Sequence, residues 1–323
     1  MRIYDYFAVF DFDGTAAETF KPSLNGVGVS QAYRMACAGI FGHPLGAELY
    51  DAVGGLQNRT AGELVAAIFG AGDSTTLIAS ARTCLHEEGP TLTGYVPPGK
   101  GASLEWNERQ PLAVITELCV RLKLRILTAQ IGMPCEDGSR WPSPCAGFVN
   151  FWRALLNVSG SAGVRLVPGI VSSGHDYFID RCFAMWGLPA PQFKVTDDTM
   201  RGPACATIPA RERAKPHVWP VRLLCEQWLA SRGERFAGDA LDVIGGRGFY
   251  AGDCPRADGG LAENLGLAFL WFNPERKDPG SLKAKVVNVI NWSDLINPLL
   301  SDKALDMMSE GLPFAQIVDV VLV

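Results

Sequence analysis

Apolar residues follow two regimes along this chain. Between about residues 20 and 145 they recur mostly at helical spacing; elsewhere they gather into short runs separated by amphipathic stretches. In the helical span, VSQAYRMACAGIFG predicts a helix from about Val29 to a stop near Gly42, and a second helix fits Leu45–Val53. Thr60 and Glu63 have the spacing of a capping box, which starts a third helix near Ala61. A fourth covers Ser74–Glu88, Pro97–Gly101 is a loop, and 105–122 returns to helical periodicity. LKLRILTAQIG, 122–132, fits strand or helix, and CEDGSRWPSPCAG, 135–147, is turn-rich and reads as a linker.

The second regime begins at the start of the chain. YFAVF, Tyr6–Phe10, is an apolar run of the kind that forms a buried strand. After the linker come a helix over Phe148–Asn157, a strand over Val164–Gly174, and a helix over Asp176–Trp186 closed by Gly187. Pro168 is awkward in a central strand, which moves the regular part to Gly169 onward. A third strand at Phe193–Thr196, a helix at 220–231, a strand at Gly248–Asp253, a helix at 258–265 and a strand at Leu267–Phe272 complete the series. Strands alternating with helices imply an α/β fold on a parallel sheet. For the tail, 280–323, the pattern yields no packing.

Composition narrows the partners. The chain has 323 residues, 48% of them hydrophobic, enough for one large or two ordinary domains with a sizeable core. A net charge of −5 leaves no basic footprint for nucleic acid. No run is long and apolar enough to span a membrane, and charges interrupt the N-terminal stretch where a signal peptide would be apolar, so a cytoplasmic protein is expected. Nine Cys without a CxxC pair read as reduced thiols, and four His without HxxxH or HxH spacing argue against zinc.

Chemistry concentrates at strand ends. The first strand runs into DFDGT, where alternation puts Asp11 and Asp13 on one side and Phe12 on the other. Two carboxylates there repel unless a cation or a shared proton relieves them. The second strand ends in Ser172-Ser173-Gly174, with Ser172 the better-placed hydroxyl and Ser173 its rival. Lys215-Pro216 lies between the third strand and the next helix, where Pro in a first turn sets the preceding residue at the helix mouth. AGDCPRAD supplies Asp253 and Asp258; FAGDALD, with Asp239 and Asp242, competes but lacks a convincing strand before it.

In this order the four signals resemble the motifs of the haloacid dehalogenase-like (HAD) superfamily, over residues 6–16 and roughly 148–273. Departures are Ala16-Ala17 in place of a bulky apolar residue, Cys254 where Ser or Thr is common, and the five-residue step from Asp253 to Asp258. The resemblance implies a Rossmann-like parallel-sheet core, 1–16 and 148–323, with an inserted α-helical cap domain, 17–147, that excludes water and confers specificity. It implies an Mg²⁺-dependent phosphatase for a small phosphorylated metabolite. Asp11 would be the nucleophile, Asp13 the general acid and base, and Ser172 and Lys215 would orient the phosphoryl group. Asp11, Asp13 through its carbonyl, Asp253 and Asp258 would form the metal site. Thr15, Ser173, Gly174 and the cap residues Asn58 and Arg59 would line the substrate. Asp13 weighs against dehalogenases, which lack it. A phosphomutase and a catalytically silent binding module remain alternatives; with only Lys21, Lys100 and Lys123 as cap lysines, a bisphosphate intermediate is the less favoured demand.

Overall fold

The computed structural model describes residues 3–56, 59–95, 103–158, 163–202, 205–234 and 238–322. They divide into two compact units, Thr19–Pro142 and Met1–Glu18 with Ser143–Val323.

The Thr19–Pro142 unit is helical: α1 Val29–Phe41, α2 Leu45–Ala52, α3 Ala61–Ala71, α4 Ser74–Glu88 and α5 Pro111–Gln130. The capping box at α3 forms as the spacing requires. Thr60 Oγ1 accepts from the Glu63 amide at 3.2 Å, and the Glu63 carboxylate accepts from the Thr60 amide at 2.8 Å. The ambiguous run 122–132 is mostly the C-terminal half of α5, whose start lies at Pro111 rather than 105. Apolar residues on several sides of α5 explain the ambiguity: Leu118, Cys119, Val120, Leu122 and Leu124 are all buried, so the helix shows little periodicity.

The other unit is a six-stranded sheet with helices around it. Its strands are β1 Tyr4–Phe10, β2 Val164–Val171, β3 Phe193–Val195, β4 Gly248–Gly252, β5 Ala268–Phe272 and β6 Val286–Val289. All neighbours are parallel, in the order β3-β2-β1-β4-β5-β6, a Rossmann-like arrangement that reverses direction between β1 and β4. Alternation along β1 packs both faces of the sheet. Phe7 and Val9 join the cluster that holds Val221, Leu224 and Trp228 of α9, Trp219–Ser231. Phe10 meets Phe148, Phe151 and Trp152 of α6, Phe148–Asn157, edge-on at 5.5–6.1 Å. Each such pair adds about 0.5–1.5 kcal/mol beyond burial. Phe12 continues that face onto Phe178 and Phe183 of α7, Asp176–Met185.

Pro168 lies inside β2, opposite Ala8, contrary to the expectation that regular strand starts at Gly169. The reason is pairing: β3 joins β2 only from Gly169 to Val171, so at Pro168 the strand still has a free edge on that side. The helix expected over 258–265 is divided into a wide turn, Pro255–Gly259, and α10, Gly260–Leu265. A short α8, Asp197–Met200, follows β3. The tail adds β6 and then α11 Ile296–Leu299, α12 Asp302–Ser309 and α13 Phe314–Val321. Trp292, fully buried before α11, stacks on Phe151 and Phe272 and donates from its indole to the Thr15 carbonyl at 3.0 Å. No described helix is long and apolar enough to cross a membrane. All nine cysteines are free thiols.

Candidate active site

Parallel sheets bind ligands beyond the carboxyl ends of their strands, at the point where strand order reverses. Here that point is the β1–β4 edge. Asp11 follows β1, and its amide donates to the Ala251 carbonyl at 2.8 Å, so the ladder itself fixes the residue. Asp253 follows β4 directly, and its carbonyl accepts from the Trp271 indole at 3.0 Å. Gly14 has φ +77°, and a Cβ there would collide with the Asp253 carboxylate; only glycine lets the first turn pass the acid. Gly252 gives the same clearance to Asp258.

Lys215 ties the acids together. Its Nζ lies 2.6 Å from Asp258 Oδ1 and 2.9 Å from Asp11 Oδ1, and 5.7 Å from the centre of the Tyr250 ring. Asp258 is wholly buried, and its second oxygen accepts from the Cys254 amide at 3.0 Å. Tyr250, on β4, sends its hydroxyl across β1 to donate to the Val171 carbonyl of β2 at 3.0 Å. One carboxylate oxygen from each of Asp11, Asp253 and Asp258 lies within 4.8 Å of the others.

Crowding shows in the proton affinities. Burial, then Asp11 and Asp258, push Asp253 up to about 8. Burial alone would lower Lys215, but the Asp11 and Asp258 carboxylates reverse this and hold it well above the usual lysine value. Burial raises Asp258 while the Lys215 ammonium pulls the other way. An all-oxygen cluster with more carboxylates than cations suits a hard divalent ion, and Asp11 and Asp253 have the geometry to hold one. Asp258 fits that role less well, because Lys215 and the Cys254 amide already occupy its oxygens.

On the β2 side, Ser172 is buried and Ser173 exposed. Ser172 Oγ accepts from the Gly174 amide at 3.0 Å. A Cβ on Gly174 would sit 3.5 Å from Asp13 Oδ2, so the Ser172–Gly174 turn lies against the second aspartate of the DFDGT string. Asp13 is half-buried, whereas Thr15 is fully buried and its hydroxyl has no hydrogen-bond partner among the described residues.

The competing acids lie elsewhere. Asp239 caps a 3₁₀ turn by accepting from the Leu241 amide at 3.0 Å and pairs with Arg222, and Asp242 is exposed. Arg59 donates to the Val53 and Gly55 carbonyls at the end of α2, the work of a helix-terminus cap. Asn58 lies outside the described residues.

Pattern reading missed His175 and Asp198. His175 Nδ1 faces Asp198 Oδ1 at 2.8 Å, and both residues are buried. Asp198 Oδ2 accepts from the Asp176 amide at 3.0 Å. Burial works against ionising Asp198, but the His175 contact and Arg201 bring it down to about 2. In sequence Asp198 lies in the stretch between the third strand and Lys215, read as a loop, and its partner is 23 residues away.

No protein-family profile and no curated protein matches this sequence. Among solved structures, the chain is similar to the HAD-hydrolase YfnB of Bacillus subtilis, solved with magnesium, at 14% identity over 93% of this chain and 100% of that one, TM-score 0.40. It is similar to CbbY of Rhodobacter sphaeroides, solved with phosphate, at 15% identity over 90% and 96%, TM-score 0.42. A 2-haloacid dehalogenase of Pseudomonas syringae aligns with the same identity and coverage, TM-score 0.44. The sheet is Rossmann-like and parallel, with Asp11, Ser172 and Asp253 just past the ends of β1, β2 and β4 and Lys215 shortly before α9.

Proposed function

We propose that this chain is an Mg²⁺-dependent phosphatase acting on a small phosphorylated metabolite. One observation carries it: at the end of the central strand the Asp11 carboxylate lies 2.9 Å from a buried ammonium, with Asp253 and Asp258 oxygens within 4.8 Å. A carboxylate can approach a phosphoryl dianion only where positive charge is fixed in advance, and Lys215 supplies it. Asp11 attacks phosphorus, the ester P–O bond breaks, and the leaving oxygen takes its proton from Asp13. Asp13, now ionised, removes a proton from water, whose oxygen attacks the aspartyl-phosphate; inorganic phosphate leaves and Asp11 is restored. The Ser172 oxygen accepts from Gly174, which leaves its own hydrogen for a phosphoryl oxygen. Gly174 keeps the turn close to Asp13, and Asp258 anchors Lys215. Asp11, Asp253 and the Asp13 carbonyl would hold Mg²⁺, which when bound would neutralise charge gathering on the phosphoryl oxygens.

The test is phosphate release from a panel of phosphomonoesters in ¹⁸O-labelled water, with and without Mg²⁺. Labelled inorganic phosphate that requires the cation supports hydrolysis. An isomerised sugar phosphate without free phosphate would mean a mutase, and silence across the panel would mean a binding module.

A further inference from the structure

Two elements hold the Ser172–Asp176 turn in place. One is β2, of which the turn is the continuation. The other is the Val195–Asp198 segment, which meets the turn at every residue but Ser173. The Ser172 amide donates to the Val195 carbonyl and the Asp197 amide to the Gly174 carbonyl, each at 3.0 Å. His175 and the Asp176 amide share the two oxygens of Asp198, at 2.8 and 3.0 Å. Thr196 Oγ1 donates to Asp176 Oδ1 at 2.9 Å. Two of these contacts run from main chain to main chain, which any sequence could make. The side chain on which two others converge is Asp198, 6% exposed, with Arg201 3.3 Å away.

We propose that Asp198 is a positioning residue: by gripping His175 and the Asp176 amide it fixes the turn that sets Ser172 and Gly174 against Asp13. The proposal rests on the phosphatase reading for its catalytic consequence, but not for its mechanics. A carboxylate presents acceptors only, and Asp198 offers one oxygen to the Asp176 amide and the other to the imidazole of His175. An alanine in its place offers no acceptor, so both grips open. The rest of the core is untouched, because Asp198 meets neither Asp11 nor Asp253. Groups that orient reacting residues from behind cost about 10- to 100-fold in activity when removed, and a misplacement of about 1 Å costs a similar factor.

Asp198→Ala is the variant to make, because an Asn there could still pair with the other tautomer of His175; His175→Asn is its companion, since an Asn amide nitrogen can stand where Nδ1 does. We expect Asp198→Ala to lower kcat/KM by about 10- to 100-fold. In a Ser172→Ala background the same change should cost less than about threefold, because a positioning residue loses its effect once the group it positions is gone. His175→Asn should retain most of the activity. Amide exchange at 174–176 should quicken at least about tenfold in Asp198→Ala, with β1 and β4 unchanged. Equal losses in the two backgrounds would overturn the link to Ser172, and unchanged exchange at 174–176 would overturn the grip itself. Should the wild type release no phosphate from any ester, the phosphatase reading falls, and the exchange comparison still decides whether Asp198 holds the turn.

Discussion

The two sides of β1 handle buried aspartates in opposite ways. On the β4 side, Asp11, Asp253 and Asp258 crowd around one lysine, and Asp253 is driven up to about 8. On the β2 side, Asp198, 6% exposed, meets donors rather than other acids, and it falls to about 2. Burial alone therefore says little about a carboxylate; what it faces decides the sign. The β4 side stores electrostatic strain that a cation or a phosphoryl group can relieve, which is where reactive chemistry belongs. The β2 side has satisfied its charge and serves as a frame. This contrast also separates the group expected to react from the groups expected to hold.

The contrast breaks most sharply at Asp11. Asp11→Asn keeps the volume and removes the carboxylate proposed as nucleophile, so turnover should fall by roughly 10⁴-fold or more while the circular dichroism stays native. Near wild-type phosphate release from a folded, freshly purified variant would remove Asp11 from the mechanism. Next comes Lys215→Met, which deprives Asp11 and Asp258 of their common partner. Stranding a buried charge costs about 3–5 kcal/mol, read from urea unfolding. A loss under about 1 kcal/mol would mean that the acids do not depend on this lysine for their burial.

The pH dependence of stability should have opposite slopes on the two sides. Asp253 is raised from 3.8 to about 8. Its contribution is thus complete below pH 3.8 and disappears as pH rises through about 8, where the unfolded chain ionises freely and the buried group does not. Asp198, lowered from 3.8 to about 2, contributes above pH 3.8 and loses that contribution as pH falls toward 2. Without divalent cation, Tm at pH 9 should lie a few degrees below Tm at pH 6, and Mg²⁺ should raise it more at pH 9. A metal-independent Tm at pH 9 would contradict the cation site. The smallest effect is expected at Tyr250, which links the two sides across β1. Tyr250→Phe leaves the Val171 carbonyl without its donor and should cost about 1 kcal/mol in unfolding free energy with catalysis little changed. A large kcat loss would show that the bridge transmits position as well as stability.

What the sequence made legible follows from the range of the forces involved. β1, β2 and β4 were readable because each is an apolar run leading into Asp11, Ser172 or Asp253, and the capping box at Thr60 and Glu63 is contained within four residues. Asp253 rather than Asp239 could be preferred because GFYAG precedes it and LAFLWF follows it. The Asp198 grip left no such trace, since its partners are brought together only by the pairing of β2 with β3. β6 was equally hidden: VVNV is short, and only its last residue is buried, so it carries no alternation to read. The start of α5 was misjudged because Pro111, not the earlier apolar residues, sets its first turn.

The placement of β1 has a consequence for how the protein is made. β1 is an inner strand of the finished sheet, and it is translated before every other strand in that sheet. Its neighbour on one side begins at Val164, its neighbour on the other at Gly248, and the indole that seizes the Thr15 carbonyl belongs to Trp292. Through most of synthesis YFAVF therefore waits as an adhesive, unpaired segment while the whole helical unit, Thr19–Pro142, emerges behind it and can fold. The strand that carries Asp11 is made before its neighbours and can be enclosed only after them.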